Sequence, residues 1–209
     1  MRYEEYVKIQ LGKLCRGGVA AAGKIPTIGL YMDQAEQFFQ QQTAEMDGEK
    51  IRRFLSKTAI NNYTKNSIIP RPAGKKYSDE HMVMILMAAY LKGIFKLEEV
   101  RYLMKPLVDN FESDFDESID PKVIYQVACE TVKDYAENLT TETDAHIEQI
   151  KKQFGANEMD DDERAEVLTL ILSLAMRADM DKYLASRLME QYFITPATEK
   201  PEKPRKQKK

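Results

Sequence analysis

At 209 residues, 43% hydrophobic and 31% charged, with nine glycines and eight prolines, the chain has the balance of a soluble helical protein and the length for one large or two small domains. No stretch approaches the roughly 20 apolar residues of a membrane span, and no charged-then-apolar leader opens the chain, so the expected location is cytoplasmic, with no membrane partner. The formal net charge of −3 means that any cationic surface must be local, and Cys15 and Cys129, which follow no ligand spacing, read as reduced thiols.

Met1 to Arg16 sets Tyr3, Tyr6, Val7, Leu11 and Leu14 close to one helical face, and Gly17-Gly18 ends that helix. Gly18 to Lys24 then fills the first seven places of a phosphate-binding P-loop. A P-loop needs a buried strand before it and a Ser or Thr after the lysine to hold magnesium. A helical pattern precedes this one and Ile25-Pro26 follows, so it reads as a small-residue loop. Pro26 to Gln42 reads as a second helix, capped by Thr27, with an apolar stripe of Ile28, Tyr31, Met32, Ala35, Phe38 and Phe39.

Leu55 to Leu107 is the most informative stretch. Ser56 is placed to cap a helix in which Ala59, Ile60 and Tyr63 recur at helical spacing. That helix stops at Asn66-Ser67, because the residue before Pro70 is pushed towards extended geometry. Pro70, Pro72 and Gly74 form a turn, Lys75-Lys76-Tyr77 reads as the tip of a small β-ribbon, and Ser78 caps a further helix with His81 in its first turn, facing water or phosphate. After Lys92-Gly93 a shorter helix carries Leu97, Val100, Leu103 and Met104 and is expected to end at Pro106. From Lys50 to Tyr77 the chain holds Lys50, Arg52, Arg53, Lys57, Lys65, Arg71, Lys75 and Lys76 and no acidic residue. A solvated helix face usually mixes both signs. A local cationic face on an acidic protein suits a phosphate backbone, whose neutralisation releases counterions.

The runs LSKTAINNYTKNSIIP, GKKYSDEH and GIFKLEEV in this stretch together resemble the winged helix-turn-helix domain of MerR-type transcription regulators. They are also similar to an uncharacterised bacterial family named only as a domain of unknown function. The resemblance implies that Ser56–Asn66 is a recognition helix, that Arg71–Tyr77 is a wing, and that the helix from Ser78 supports both. Asn61, Asn62 and Tyr63 stand where MerR proteins have a DNA-touching Arg-Tyr-Tyr run, and Lys75 and Lys76 stand where arginines precede the wing tyrosine, here Tyr77. Ser67 occupies the place of a glycine that relieves a left-handed backbone position. The DNA-binding set implied is Lys57, Thr58, Asn61, Asn62, Tyr63, Lys65, Arg71, Lys75, Lys76 and Tyr77. Asn61, Asn62 and Lys57 would face the major groove, while Tyr63, Lys65, Lys75 and Lys76 would hold phosphates.

Past Pro106 an acidic run from Asp109 to Asp120 lacks the glycine and glutamate places of a calcium loop and reads as a solvated linker. Pro121 opens a long helix whose buried face is expected at Ile124, Val127, Ala128, Thr131, Val132 and Tyr135. The last helix is apolar nearly all round from Val167 to Met176. Such a helix is buried on several sides, in a bundle or across a two-fold axis; Leu168, Leu170, Ile171, Leu172 and Leu174 are expected at a homodimer contact. Met176, Met180 and Met189 leave room for an adaptable effector pocket, although such residues are more often core. From Thr195 the chain becomes a basic tail without buriable residues.

No nucleophile–base pair or metal spacing surrounds His81 or His146, so neither an enzyme nor a cofactor is expected. The fold expected is mostly α: residues 1–25 as an N-terminal helix and loop, 26–107 as the MerR-like winged helix-turn-helix domain, 108–194 as a C-terminal helical domain for dimerisation and effector sensing, and 195–209 as the tail. The function expected is sequence-specific binding of double-stranded DNA in transcription regulation. The alternative is a helical interaction protein whose winged domain binds a protein partner.

Overall fold

A computed structural model describes residues 2–17, 25–43, 49–111, 120–156 and 163–195. The P-loop-like segment 18–24, most of the acidic run and the basic tail lie outside these residues. In chain order the described elements are α1 (Tyr3–Gly17), β1 (Leu30–Tyr31), α2 (Met32–Gln42), α3 (Glu49–Phe54), α4 (Lys57–Lys65), β2 (Lys76–Tyr77), α5 (Asp79–Lys92), α6 (Leu97–Phe111), α7 (Pro121–Ala156) and α8 (Glu163–Met189). A short π-helical turn, Glu190–Ile194, extends α8. Among the described residues no helix is long and apolar enough to cross a membrane.

The centre of the molecule is α5. Ser78 caps it, its hydroxyl accepting from the His81 N–H at 3.4 Å while the His81 ring nitrogen Nδ1 takes the Ser78 N–H at 3.3 Å. This is a reciprocal capping box with histidine in the usual place of glutamate. From His81 to Leu86, and again at Ala88 and Ala89, every side chain is buried. A helix apolar all round must be covered on several sides, and α3, α4, β2, α6 and α7 all pack on it. His81 therefore faces neither water nor phosphate, contrary to its expected position. It sits edge-on to Phe111, ring centroids 4.7 Å apart, and to Tyr77 at 5.9 Å.

Several boundaries differ from those the sequence suggests. The helix expected from Pro26 starts at Met32, because Leu30 and Tyr31 are drawn into strand pairing with β2: Leu30 lies opposite Tyr77 and Tyr31 opposite Lys76. The N-terminus of α2 is capped by Gln34, whose amide oxygen accepts from the Tyr31 N–H at 2.9 Å, and Thr27 is not its cap. α6 does not end at Pro106 but runs through it to Phe111, because Leu107 and Val108 beyond the proline are buried. A proline cannot donate to the carbonyl four residues back, yet the apolar contacts on either side keep the helix going.

The boundary expected after residue 107 thus falls inside a helix, and the core crosses it. Tyr125 at the start of α7 and Met189 at the end of α8 are buried in the same cluster as Phe39, Ile60, Met82 and Met104. A Lys122–Asp79 ion pair at 3.2 Å ties α7 to the head of α5. A second, smaller cluster joins Ile147 and Ile150 of α7 to Leu170 of α8, with Tyr3 and Val7 of α1 packed against it. Leu170, expected at an interface between chains, is therefore filled in by α1 and α7 of its own chain. The face expected to be buried on α7 is the exposed one: Ile124, Val127, Val132 and Tyr135 all lie open, and Pro121, Tyr125, Thr143, Ile147 and Ile150 are buried instead.

Candidate nucleic-acid interface

α4 is amphipathic in the simplest way. Ser56 accepts from the Ala59 N–H at 3.3 Å, and Ile60 and Tyr63 turn into the core. That leaves Thr58, Asn61, Asn62 and Lys65 at helical spacings of three, four and seven, all exposed on one face. α4 ends in a Schellman turn: Ile68 N–H donates to the Tyr63 carbonyl at 2.9 Å and Ser67 N–H to the Thr64 carbonyl at 3.3 Å. Ser67 holds φ 53 to make it.

The following segment is returned to α4 by its own chemistry. Ile68, Ile69 and Pro70 are buried, Arg71 is exposed, and Gly74 (φ 56) and Lys75 (φ 66) turn the backbone left-handed into β2. The β1 partner approaches closely, since a Cβ on Gly29 would stand 3.3 Å from the Lys76 Cβ. Tyr77 is buried in the same core cluster as Ile60 and Tyr63 of α4, which anchors this short ribbon in the core they share; burial pushes its phenol pKa up. Arg71, Lys75 and Lys76 all project from it, exposed.

Of the ten residues expected at the site, seven are exposed and free of a described ion-pair partner: Thr58, Asn61, Asn62 and Lys65 on α4, and Arg71, Lys75 and Lys76 on the segment that follows it. Two are corrected. Tyr63 is 2% exposed with its hydroxyl donating to the Phe54 carbonyl at 3.0 Å, and Tyr77 is 4% exposed. Both are core tyrosines that carry the surface residues and cannot touch a phosphate. Lys57 is exposed but compensated. Its ammonium meets Asp33 of α2 at 2.7 Å, which raises its pKa, and its backbone N–H donates to Glu36 at 2.9 Å. Asp33 and Glu36 have no signal in the base-only run, because they come from another helix. Lys65, Arg71, Lys75 and Lys76 form no ion pair with a described carboxylate; the Lys76 ammonium lies 5.2 Å from the Tyr31 ring centroid. The side chains of Lys50 and Arg52 lie outside the described residues.

The two asparagines are not equivalent. Asn66 Nδ2 donates to the Asn62 carbonyl and to Asn62 Oδ1, both at 2.8 Å. Reading adenine by two hydrogen bonds needs an open amide oxygen and an open NH₂. Asn61 offers both, whereas the Asn62 oxygen is already engaged.

Behind this surface a cleft of about 350 Å³ opens between Thr64, Ser67, Pro70 and Arg71 on one side and Val108 and Phe111 of α6 on the other. His81 lies behind Phe111, its pKa lowered by burial and partly restored by the Arg71 backbone and the Asp79 carboxylate. A neutral ring fits that apolar place. Among the described residues no group of His, Cys, Asp and Glu is arranged to hold a metal ion.

Residues 20–128 match the family described as a domain of unknown function, DUF1836. The chain belongs to this DUF1836 family. The matched region takes in β1, the α4 face, the ribbon, α5 and α6, and stops just past Tyr125, the α7 residue buried in their core. α1 and α8 fall outside it. The uncharacterized protein YkrK of Bacillus subtilis (strain 168) is 31% identical over 105 residues, 47% of this chain. The match spans 45% of that relative's length. No solved structure matches the chain.

Proposed function

We propose that the chain is a sequence-specific DNA-binding transcription regulator whose DUF1836 region works as a winged helix-turn-helix resembling that of MerR proteins. In this reading α4 enters the major groove and the Arg71–Tyr77 segment lies along the neighbouring backbone as the wing. The observation that carries it is the exposed polar face of α4, Thr58, Asn61, Asn62 and Lys65, followed in the chain by the exposed Arg71, Lys75 and Lys76, four of these seven being cations without a described carboxylate partner. Uncompensated cations together with a polar helix face fit the division of labour between backbone contacts that position and base contacts that specify. Asn61 is the base reader, with both ends of its amide open. Tyr63 and Tyr77 act from beneath, by fixing the helix and the ribbon relative to each other.

Selection of bound duplexes from random DNA with purified protein tests this reading. A shared motif should emerge, and Asn61→Ala should relax preference at one of its positions by ~1–3 kcal/mol. Lys75→Ala combined with Lys76→Ala should weaken all duplexes about equally and lower the salt slope by up to about 2. Absence of any enriched motif, with residual binding indifferent to salt, would turn the same surface into a contact for a protein partner.

A further inference from the structure

Not all of the polar chemistry behind α4 is spent on the fold. In the capping box of α5 the His81 Nδ1 accepts from the Ser78 N–H, so in the neutral ring the proton sits on Nε2. That N–H is buried and has no hydrogen-bond partner among the described residues. Buried donors are normally paired, and an unpaired one calls for an explanation. The ring stands edge-on to Phe111, and the Arg71 backbone lies near enough to favour its charged form without meeting hydrogen-bond geometry. Arg71 and Phe111 both line the cleft of about 350 Å³ between the end of α4, the turn after it and α6.

The lining of that cleft divides by chemistry. Ile69, Pro70 and Val108 are buried and, with Phe111, make an apolar floor. Thr64 and Ser67 bring hydroxyls, that of Thr64 already donating to the Ile60 carbonyl at 3.2 Å. Arg71 is exposed and brings a guanidinium that no described carboxylate pairs. Among the described residues no acidic side chain lines the cleft, and Asp79, whose charge acts on the His81 ring, is held by Lys122 at 3.2 Å. Small-molecule sites occupy roughly 300–1,000 Å³ and combine apolar walls with a few convergent polar groups.

We infer that this cleft binds a small organic acid, its apolar body against Ile69, Pro70, Val108 and Phe111 and its carboxylate on the Arg71 guanidinium. A guanidinium meets a carboxylate through two parallel hydrogen bonds, and the His81 N–H behind Phe111 is a second donor for an anion seated there. A bare phosphate would leave the apolar floor uncovered, so the class is a carboxylate on an apolar frame. The site is not where the methionines of α8 suggested a pocket, since Met176 and Met180 stand 60% and 65% exposed. One consequence rests on the regulator reading, in which Arg71 belongs to the wing. Acid and DNA phosphate then compete for one guanidinium, and each weakens the other by the same factor.

Para-fluorobenzoate serves as the probe, with para-fluorobenzamide as its neutral isostere and inorganic phosphate as the anion without an apolar body. In fluorine NMR with the purified full chain the benzoate should bind saturably and phosphate should not displace it. The amide should bind about tenfold more weakly, the scale of one charge-assisted contact, and Arg71→Gln should bring the benzoate down to the level of the amide. The chain holds two histidines, so benzoate should move the ring signals of His81 and leave those of His146, on α7, in place. Equal binding of acid and amide, displacement by phosphate, an affinity unchanged in Arg71→Gln or a still His81 signal would each overturn the site. None of these readouts uses DNA, so they decide the site whatever becomes of the regulator reading. With a duplex present, saturating benzoate should weaken its binding to the wild type and not to Arg71→Gln; an undisturbed wild-type affinity would remove the competition and keep the site.

Discussion

Ser67 closes α4 with a left-handed backbone, φ 53, and an exposed side chain that makes no stabilising contact of its own. A Cβ in that region costs on the order of 1 kcal/mol, which glycine avoids. Ser67→Gly is therefore expected to raise stability by up to about 1 kcal/mol, a gain of about 2–4 °C in Tm for a chain of this size. A thermal melt checks it, and a fall in Tm would mean that the flexibility glycine adds to the unfolded chain outweighs the relief. The resemblance to MerR proteins implied this conformation, since Ser67 stands where they carry a glycine in a left-handed position. The fate of Tyr63 and Tyr77 was not legible. A tyrosine on a helix or ribbon serves equally as a surface contact or as a core residue, and the choice depends on partners distant in the chain or in space, such as the Phe54 carbonyl that takes the Tyr63 hydroxyl.

α6 holds its proline by packing rather than by propensity. Pro106 itself is exposed, while Met104, Leu107 and Val108 are buried around it. Interior proline costs a helix about 3 kcal/mol through the missing N–H and the push on the preceding turn. Pro106→Ala would restore the donor to the Tyr102 carbonyl and lose no buried contact, so stability should increase, by up to about 3 kcal/mol. Urea unfolding gives the value directly; a loss would reveal that the ring holds a bend that α6 needs to meet α5. The proline rule ends this helix too early because it weighs one residue, and the residues that overrule it act only when α5 is already in place. In α7 the period is helical along its whole length and the helix forms, but two apolar faces compete there. The face chosen for burial holds Tyr125, Ile147 and Ile150, because these meet α5, α1 and α8.

Across the whole molecule, α1 fastens both long helices at one end of the hairpin. Glu4 is held by Lys151 of α7, the Tyr3 hydroxyl donates to Glu166 of α8 at 2.7 Å, and the Tyr3 N–H reaches Glu163 at 3.1 Å. The Lys151 ammonium, hydrogen-bonded to Glu4, holds that carboxyl below its ordinary pKa of 4.5. A lowered folded value means that the unfolded chain binds the proton first as acid is added. The contribution of Glu4 to stability is thus complete above about pH 4.5 and is lost as pH falls through the folded value. Glu4→Gln should be less stable than wild type at pH 7, and that difference should shrink below pH 4.5. Urea midpoints for both proteins from pH 7 to pH 3 give the comparison, and a gap that stays constant would remove the pair from the acid response.

By itself the sequence determined what neighbouring residues decide together. The helical periods, the caps at Ser56 and Ser78, the reversal after Asn66, the base-only run from Lys50 to Tyr77 and the outward face of Asn61, Asn62 and Lys65 all follow from local geometry and composition. Tertiary structure alone decided what depends on a distant partner. It paired Leu30-Tyr31 with Lys76-Tyr77, compensated Lys57 with Asp33, buried His81 against Phe111, and carried the core past residue 107 to Tyr125 and Met189. The physical reason is the range of the forces. Capping and periodicity act within a few residues of one chain segment, while burial and ion pairing belong to surfaces that exist only once α5 has gathered the other elements around it.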